Sequence, residues 1–597
     1  MAATSAEEVL ALAALRSRAE RKGHIARHGS IRLAILGGYT FRPLDQLLEH
    51  YLSTSAPAPL SCELLLGDFD NYTSEIVDEG GRLGEFKPEV VVLVPSHRSC
   101  RYSGPLFDSR DKVEAEARNL AAQILDLCSA ANRRTGAEII LANFPLSGQI
   151  DPGPYRGRTF ASEWSFRKLV NLELGIQAPA YVHICDVEFL SARHGIQNAF
   201  DPRAWFETRQ PYERGLMLSV ARELAHLITH LRTPSKKVAI LDLDNTLWGG
   251  VIGDDGLNGI EIGDTSPRGE AFKWFQQYLL SLSQRGVLLA ACSKNDHDKA
   301  IEPFERHPEM VLRMKDFVSF KANWQPKSEN IRQIAAELNL GLDSMVFIDD
   351  NPAEVDIVRQ FVPEVAAVLL GPDPSEYVAT LQAGRFFEPQ SITSEDLERV
   401  SQYKQEAQRQ VLLSSVTDMG AYLASLDMTA TVSEFRGVDV PRIAQLINKS
   451  NQFNLTTRRR TEAQVEAVIA DKDAVAFTVR LSDRFGDYGL ISVVVGQMKQ
   501  DEIEIDTWLM SCRVLKRQVE ELVLNNLAEL ARKRGARQIR GVYLPTPKNG
   551  MVRDHYAAMG FTPVLDTAER REFILDLSTY EARSTHIRIL KKPYDSV

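Results

Sequence analysis

The 597-residue sequence predicts an α/β protein built from three successive domains. Short apolar runs alternate with helical patterns over residues 1–232 and again over residues 236–371. Such alternation predicts a parallel α/β sheet in the first domain and a doubly wound α/β sheet in the second. Residues 428–580 begin instead with three successive strand patterns and continue with helix, strand, helix and strand, which favours an α+β domain. We interpret residues 372–427 as a solvated helical connector and residues 581–597 as a C-terminal tail.

Each predicted strand is a short apolar run that buried strands of such sheets typically show. The predicted strands are Leu33–Leu36, Glu63–Leu66, Val90–Val94, Glu138–Ala142 and Tyr181–Cys185 in the first domain, Val238–Leu243, Val287–Cys292, Phe317–Phe320 and Met345–Ile348 in the second, and Ala474–Leu481, Leu490–Val495, Glu502–Met510, Gln538–Tyr543 and Arg571–Leu577 in the third. The main predicted helices are Lys112–Asn132, Gly269–Arg285, Ser328–Leu338, Leu515–Lys533 and Gly550–Met559.

Composition narrows the class of protein. A hydrophobic content of 44% and a charged content of 25% are typical of a soluble globular chain. The net charge of −10 argues against a duplex nucleic-acid binder. The six cysteines include no CxxC pair, which indicates neither a disulfide framework nor a zinc knuckle and favours a reducing compartment. With no signal-peptide pattern and no long apolar stretch, we expect a cytoplasmic protein without a membrane partner.

The most informative segment is Val238-Ala-Ile-Leu-Asp242-Leu-Asp244-Asn-Thr246, in which a predicted buried strand ends in two carboxylates. Residues two apart on a strand face the same side, so both carboxylates can turn toward one phosphate and one metal ion. One carboxylate can attack phosphorus, and the other can protonate the leaving oxygen and then activate water. A DxDxT pattern alone is weak evidence, because a capping aspartate is common at a strand end.

Two other predicted strand ends and one helix start carry matching groups. Ser293 follows Val287–Cys292 and suits a phosphate oxygen, and Lys327 starts a predicted helix and offers a positive charge beside helix-terminal amides. Asp349 and Asp350 follow a third strand, where adjacent carboxylates repel each other unless a cation compensates. Magnesium favours such oxygen ligands, so the sequence predicts a magnesium-dependent phosphoryl-transfer site.

In this ordered set of motifs the chain resembles the HAD superfamily. The resemblance implies that Asp242 is the nucleophile, that Asp244 is the general acid and base, and that Ser293 and Lys327 bind the transferring phosphoryl group. The implied magnesium ligands are Asp242, Asp244 through its backbone carbonyl, Asp349 and Asp350. The alternative is a degenerate HAD-like domain that serves as a scaffold.

Longer strings are similar to the FkbH-like proteins, of HAD subclass IIIC, over nearly the whole chain. These strings are Leu241-Asp-Leu-Asp-Asn-Thr-Leu-Trp-Gly-Gly-Val-Ile-Gly-Asp-Asp-Gly256, Ala291-Cys-Ser-Lys-Asn-Asp296, Asn323-Trp-Gln-Pro-Lys327, Asn451-Gln-Phe-Asn-Leu455, Asp483-Arg-Phe-Gly-Asp-Tyr-Gly489 and Ser511-Cys-Arg-Val514. The resemblance implies removal of phosphate from 1,3-bisphosphoglycerate and transfer of the glyceryl unit, as a thioester, to the phosphopantetheine arm of an acyl carrier protein. Such units enter polyketide extender or tetronate biosynthesis.

A thioester requires a thiol that attacks the acyl carbon. That thiol can belong to the carrier's phosphopantetheine or to a cysteine of the enzyme that relays the acyl group. Cys292, beside Ser293, is the first candidate, and Cys512 is the second because Arg513 can favour its thiolate. For both cysteines the alternative is a small buried apolar residue. Lys294 and Arg268 could hold a second phosphate, although surface charge explains them as well.

The flanking domains resemble two further folds. The third domain is similar to the GNAT acyltransferase fold, but Arg513–Glu520 lacks the glycines with which that fold cradles a pyrophosphate. This departure argues against coenzyme A binding, so direct acetyl transfer from coenzyme A is the weaker alternative to docking of a carrier-bound pantetheine arm. The first domain is similar to SGNH hydrolases, yet Tyr39 stands where active relatives carry the nucleophilic serine. His194 and Asp201 make no triad without that serine, and we expect a non-hydrolytic docking or structural domain. The alternative is a carbohydrate or acyl esterase with displaced residues. Two alternative functions stay open: a HAD phosphatase for another small phosphate, and a carrier-binding scaffold whose HAD-like domain is silent.

Overall fold

The computed structural model describes residues 5–22, 29–54, 59–146, 148–150, 152–233, 235–389, 402–403, 405, 409, 418–450 and 452–591. The chain forms two compact units, Met1–Thr233 and Pro234–Val597. In the described part of the chain, no helix has both the length and the apolar character that a membrane span requires.

The first unit is built on a parallel five-stranded sheet in the order β2-β1-β3-β4-β5. Its strands are β1 Ser30–Gly37, β2 Ser61–Leu66, β3 Val90–Val94, β4 Glu138–Ala142 and β5 Val182–Cys185. Its α-helices are α1 Ala6–Arg21, α2 Leu44–Thr54, α3 Tyr72–Val77, α4 Arg82–Phe86, α5 Arg110–Thr135, α6 Glu163–Gln177, α7 Val187–His194, α8 Pro202–Thr208 and α9 Arg214–Arg232. Alternate residues of β1 enter two different apolar clusters, one on each face, so helices cover both faces of the parallel α/β sheet that the sequence predicts.

The second unit begins with another parallel five-stranded sheet, in the order β10-β9-β6-β7-β8. Its strands are β6 Val238–Leu241, β7 Leu288–Ser293, β8 Phe317–Ala322, β9 Met345–Asp349 and β10 Ala366–Leu369, of which β10 was not predicted. The helices are α10 Ile252–Asp255, α11 Pro267–Gln284, α12 His297–Arg306, α13 Lys327–Leu338, α14 Pro352–Phe361 and α15 Tyr377–Ala383. Since β6 lies between β9 and β7, the carboxyl ends of these three strands are neighbours.

The rest of the second unit contains an eight-stranded mixed sheet in the order β16-β17-β15-β14-β13-β12-β11-β18. Its strands are β11 Thr429–Glu434, β12 Ala474–Asp483, β13 Gly486–Lys499, β14 Glu502–Met510, β15 Gln538–Tyr543, β16 Thr562–Asp566, β17 Arg571–Asp576 and β18 Arg588–Lys591. The helices are α16 Met419–Ser425, α17 Val440–Lys449, α18 Glu462–Ala470, α19 Val519–Lys533 and α20 His555–Ala558. The three successive strands that the sequence predicts are the antiparallel run β12-β13-β14.

The expectations of a solvated connector over residues 372–427 and of a plain C-terminal tail over residues 581–597 are wrong. The start of the expected solvated connector, α15, packs on the apolar core beneath β6 and β7, where Tyr377 is 1% exposed. Most of the charged stretch Glu395–Gln410 lies outside the described residues. The expected C-terminal tail contains β18, which pairs in parallel with β11 at the edge of the mixed sheet. Local patterns did not reveal β18, because its partner strand lies far away along the chain.

Candidate active site

The polar residues that the sequence singles out meet at the carboxyl edge of the sheet formed by β6 to β10. Asp242 directly follows β6, and its backbone N–H donates to the carbonyl of Ile348 on β9 (3.0 Å). Ser293 is the last residue of β7, and Asp349 is the last residue of β9. All three residues are buried, with exposed fractions of 7% or less. The parallel register thus brings residues from distant parts of the sequence to one point, where open α/β sheets bind ligands.

Lys327 is the first residue of α13 and supplies the positive charge of this site. Its Nζ lies 2.6 Å from Asp349 Oδ2 and 3.0 Å from Asp242 Oδ1. Burial opposes the charged form, but the two carboxylates outweigh it and raise the pKa of Lys327 above its usual value. The lysine is therefore a fixed cation between the two aspartates.

Three carboxylates surround a point that this single lysine cannot neutralise. Oxygen atoms of Asp242, Asp349 and Asp350 all lie within 4.8 Å of one another. Burial, and then the charge of Asp242, raise the pKa values of Asp349 and Asp350. Asp242 Oδ1 is buried beside Lys327 Nζ, which also pairs with Asp349. Closely spaced carboxylates that outnumber the lysine between them suit a hard divalent cation, which prefers oxygen ligands.

Asp244 occupies a different position, facing the segment that follows β6. One carboxylate oxygen accepts hydrogen bonds from Trp248 Nε1 (3.0 Å) and from the backbone N–H of Ile252 (2.9 Å). The other oxygen accepts from Asn295 Nδ2 (2.7 Å). Burial raises the pKa of Asp244, although these three hydrogen bonds favour its charged form. A carboxyl group that is held firmly and whose pKa is raised is suited to proton transfer.

The side chain of Asp244 is not part of the three-carboxylate cluster. The ligand that the HAD resemblance implies from this residue is its backbone carbonyl, so the implied ligand set stays a prediction. Sequence reasoning missed the positioning role of Asn295 and Trp248, although both lie inside the strings that carry the family resemblance. The sequence feature that could have indicated the role of Asn295 is its position two residues after Ser293, at the end of the strand next to β6.

The loop before α13 is fastened to the end of β7. The backbone N–H of Asn323 donates to the carbonyl of Ser293 (3.2 Å), and the side chains of Asn323 and Asn330 form a reciprocal amide pair. Trp324 donates from its indole to Asp296 Oδ1 (2.9 Å) and is 71% exposed. The two expected phosphate-binding residues, Ser293 and Lys327, are thereby held at a common rim.

The structure corrects the expectation for Cys292. Its side chain is 0% exposed and lies in the apolar cluster that contains Val238 and Ile240. Burial raises the pKa of its thiol to about 12. A protonated, buried thiol is a poor nucleophile, so Cys292 is a core residue rather than an acyl relay.

The side chain of Cys512, the second candidate thiol, lies outside the described residues. Its backbone belongs to a short 3-10 turn, Cys512–Val514. The neighbouring Arg513 donates to Ser511 Oγ, to Gln402 Oε1 and to the carbonyl of Tyr488. The guanidinium is thus engaged with three acceptors other than a thiolate.

The residues considered for a second phosphate are paired with acids. Lys294 Nζ lies 2.6 Å from Glu354 Oε1, and Arg268 Nε lies 3.6 Å from Glu261 Oε2. Both side chains are partly exposed. These ion pairs favour the interpretation of Lys294 and Arg268 as surface charges.

Tyr39, His194 and Asp201 of the first unit each contact other partners and do not form a triad. Tyr39 is 1% exposed, and its hydroxyl lies 2.8 Å from His97 Nδ1 and accepts from the His97 backbone N–H. His194 bonds Glu213 (3.0 Å), and Asp201 caps the start of α8. The non-hydrolytic role of this unit and its SGNH-like character stay predictions.

Comparisons with known proteins support the phosphoryl site. No protein-family model and no curated protein matches the chain. A crystal structure of the N-terminal part of a Bacteroides fragilis protein, which contains a phosphatase domain and was solved with Mg, is 30% identical with a TM-score of 0.54. The match covers 65% of this chain and 100% of that one.

Acetyltransferase structures match a smaller part. The ribosomal-protein-S18-alanine N-acetyltransferase of Escherichia coli is 14% identical, and the match covers 26% of this chain and 97% of that one with a TM-score of 0.21. A spermidine N-acetyltransferase from Vibrio cholerae gives 14% identity, coverages of 26% and 96%, and a TM-score of 0.21. TM-scores this low do not support any conclusion about the fold or the function of this chain. The identity to the Bacteroides phosphatase structure over its whole length, together with the assembled aspartate and lysine site, shows that this chain belongs to the HAD-type, FkbH-like phosphatases.

Proposed function

We propose that this protein is a magnesium-dependent enzyme that removes phosphate from 1,3-bisphosphoglycerate and transfers the glyceryl unit to an acyl carrier protein as a thioester. The observation that carries the phosphoryl chemistry is the grouping of Asp242, Lys327 and Asp349 beside a separately held Asp244. The substrate and the carrier rest on the resemblance of the sequence strings to the FkbH-like proteins.

Asp242, Asp349 and Asp350 fit a magnesium ion, since their oxygens lie within 4.8 Å of one another and these three carboxylates outnumber the charge of Lys327. The Bacteroides structure was solved with Mg. When bound, magnesium neutralises these carboxylates and polarises a phosphoryl oxygen. Lys327 places a second positive charge at the same point.

The chain's own residues can carry out the phosphoryl transfer in two steps. An oxygen of Asp242 forms a bond to phosphorus, and the ester bond breaks with its electron pair passing to the leaving oxygen, which takes a proton from Asp244. Water then attacks phosphorus and gives a proton to Asp244, and the bond between phosphorus and the Asp242 oxygen breaks, which returns the carboxylate and releases inorganic phosphate. Burial of Asp244 helps the first step, because it favours the protonated carboxyl group.

The acyl step needs a thiol at the carbonyl carbon of the acyl phosphate. A carbon–sulfur bond forms there, the carbon–oxygen bond breaks with its electrons passing to the leaving phosphate, and the thiol proton passes to that phosphate. Since Cys292 is buried and its pKa is raised to about 12, the thiol of the carrier's phosphopantetheine is the better candidate. A relay through Cys512 would show as an adduct on the enzyme.

The test is intact-protein mass spectrometry of the enzyme mixed with magnesium, 1,3-bisphosphoglycerate formed in situ and a phosphopantetheinylated carrier protein. We expect the carrier to gain the mass of one unphosphorylated glyceryl group. Asp242→Asn should abolish phosphate release, and Asp298→Asn, an exposed acid outside the cluster, should not. Normal phosphate release by Asp242→Asn would overturn the assignment of the site.

A plain phosphatase for another small phosphate is the second candidate. Its support is that Cys292, the described thiol next to Ser293, is 0% exposed. It predicts phosphate release that is independent of the carrier, with no adduct on either protein. A silent carrier-binding scaffold predicts instead that carrier binding survives the loss of both magnesium and Asp242.

A further inference from the structure

The first unit has an exposed apolar surface on the two loops that follow β3 and β4. Phe107 and Ile150 are 83% and 74% exposed, and the rings of Phe107 and Tyr155 lie 6.4 Å apart. Thr159 Oγ1 donates to the carbonyl of Leu106 (2.8 Å), which ties the two loops together. Exposed aromatic residues that cluster in this way on a soluble protein are typical of interaction sites. We call the surface that these two loops form, with Phe107, Ile150 and Tyr155 exposed on it, the β3–β4 loop surface.

A cavity of about 210 Å³ opens in the same loops. Its lining includes Arg101, Tyr102, Gln149, Glu163 and Trp164. Arg101 is 66% exposed at the side chain and lies 3.7 Å from Glu163. Loops at the carboxyl edge of a parallel sheet are where such folds bind their ligands, and this edge carries both the cavity and the apolar surface.

The charge of these loops opposes that of the whole protein. The loop residues 95–109 and 143–162 contain four arginines and two acidic residues, whereas the chain has a net charge of −10. The four cations are Arg98, Arg101, Arg156 and Arg158. Arg110 also lies over the ring of Phe160, at 5.1 Å from its centroid. Arginine beside exposed aromatics is the composition of protein–protein contact sites.

We propose that the β3–β4 loop surface is the docking site for an acidic protein partner, and that this partner is the acyl carrier protein of the proposed function. Its carboxylates would meet Arg101 and Arg158, and its apolar side chains would cover Phe107 and Tyr155. The identity of the partner rests on the proposed function, whereas the location of the surface does not. Complementary charge increases the rate of association and makes it depend on salt.

The test measures binding of the full chain to an acidic acyl carrier protein that carries a fluorophore on its phosphopantetheine arm, by fluorescence anisotropy. The docking variant is Phe107→Ser with Arg158→Glu, both exposed positions. The matched control is Ile176→Ser with Arg133→Glu, which lie at the C-terminal ends of α6 and α5 and therefore at the opposite edge of the sheet. We expect the docking variant to bind at least about tenfold more weakly and the control to bind normally.

Phosphate release from a small ester should be the same in both variants, because neither changes the phosphoryl site. Arg158→Glu alone should weaken binding at low salt more than at high salt, which keeps the test valid if the double variant misfolds. Unchanged binding by the docking variants would overturn the assignment of the β3–β4 loop surface as the docking site, but it would not affect the proposed function. If the wild-type chain does not bind the carrier, the partner itself is wrong, for this surface and for the proposed function alike.

Discussion

Cys292 and Ser293 are consecutive residues of β7, yet they serve different parts of the protein. Successive side chains of a strand point to opposite faces of the sheet. Cys292 lies with Leu288 and Ala290 in the apolar cluster against α13, whereas Ser293 ends the strand at the phosphoryl site. Because the two residues are adjacent in the sequence, a shared role was expected. Their side chains point to opposite faces of the sheet, which separates them in the structure.

Replacing Cys292 tests this separation. We expect Cys292→Ala to retain both phosphate release and acyl transfer within about twofold, and to lower the free energy of unfolding by about 1 kcal/mol through the lost packing. The native protein should also resist alkylation at Cys292, measured by peptide mass spectrometry. Loss of the acyl adduct in a folded Cys292→Ala enzyme would contradict this picture and restore the cysteine relay.

His97 links the chemistry of one residue to the pH dependence of stability. Burial, then Arg167, Arg98 and Arg101, lower the pKa of His97 to about 3. The Tyr39 hydroxyl accepts from the His97 backbone N–H and lies 2.8 Å from Nδ1, which suits a neutral ring. An unfolded chain takes up this proton near pH 6.5, so the first unit loses stability as the pH falls from about 6.5 toward 3.

We expect His97→Asn to remove this contribution. The unfolding free energy of the wild-type protein should fall more steeply than that of the variant, with an excess loss of up to about 2 kcal/mol at pH 5. Urea unfolding between pH 7 and 5, followed in both proteins, measures the difference. Parallel pH profiles would show that His97 is already charged in the folded protein.

At the scale of elements, β18 closes one edge of the mixed sheet. It pairs with β11, and Ile587 just before it is 6% exposed in the core cluster of that sheet. We expect a chain that ends at Ser584 to unfold with about 2 kcal/mol less free energy, because an apolar side chain and an edge pairing are lost. A chain that ends at Lys591 is the control for urea unfolding. Equal stability of the two truncated chains would make β18 dispensable.

At the scale of the whole molecule, magnesium should couple the phosphoryl site to the stability of residues 234–597. A ligand that binds only the folded state stabilises it by about 2.7 kcal/mol when its concentration is one hundred times its dissociation constant. We expect magnesium to raise the free energy of unfolding and chelation to abolish phosphate release. Asp349→Asn should lose the stabilisation and Asp298→Asn should keep it, both measured by urea unfolding with and without magnesium. An equal response in the two variants would place the ion elsewhere.

The sequence determined the parallel sheets and the ends of their strands, because buried strands are runs of apolar residues and the polar groups that follow them are visible in one dimension. Asp242, Ser293, Lys327 and Asp349 could be identified in this way, and the structure brings them together. Bonds between distant segments were not visible, such as the one from Asn295 to Asp244. The pairing of β18 with β11 and the burial of Cys292 were likewise decided by the tertiary structure, since strand order and side-chain environment depend on contacts between residues far apart in the chain.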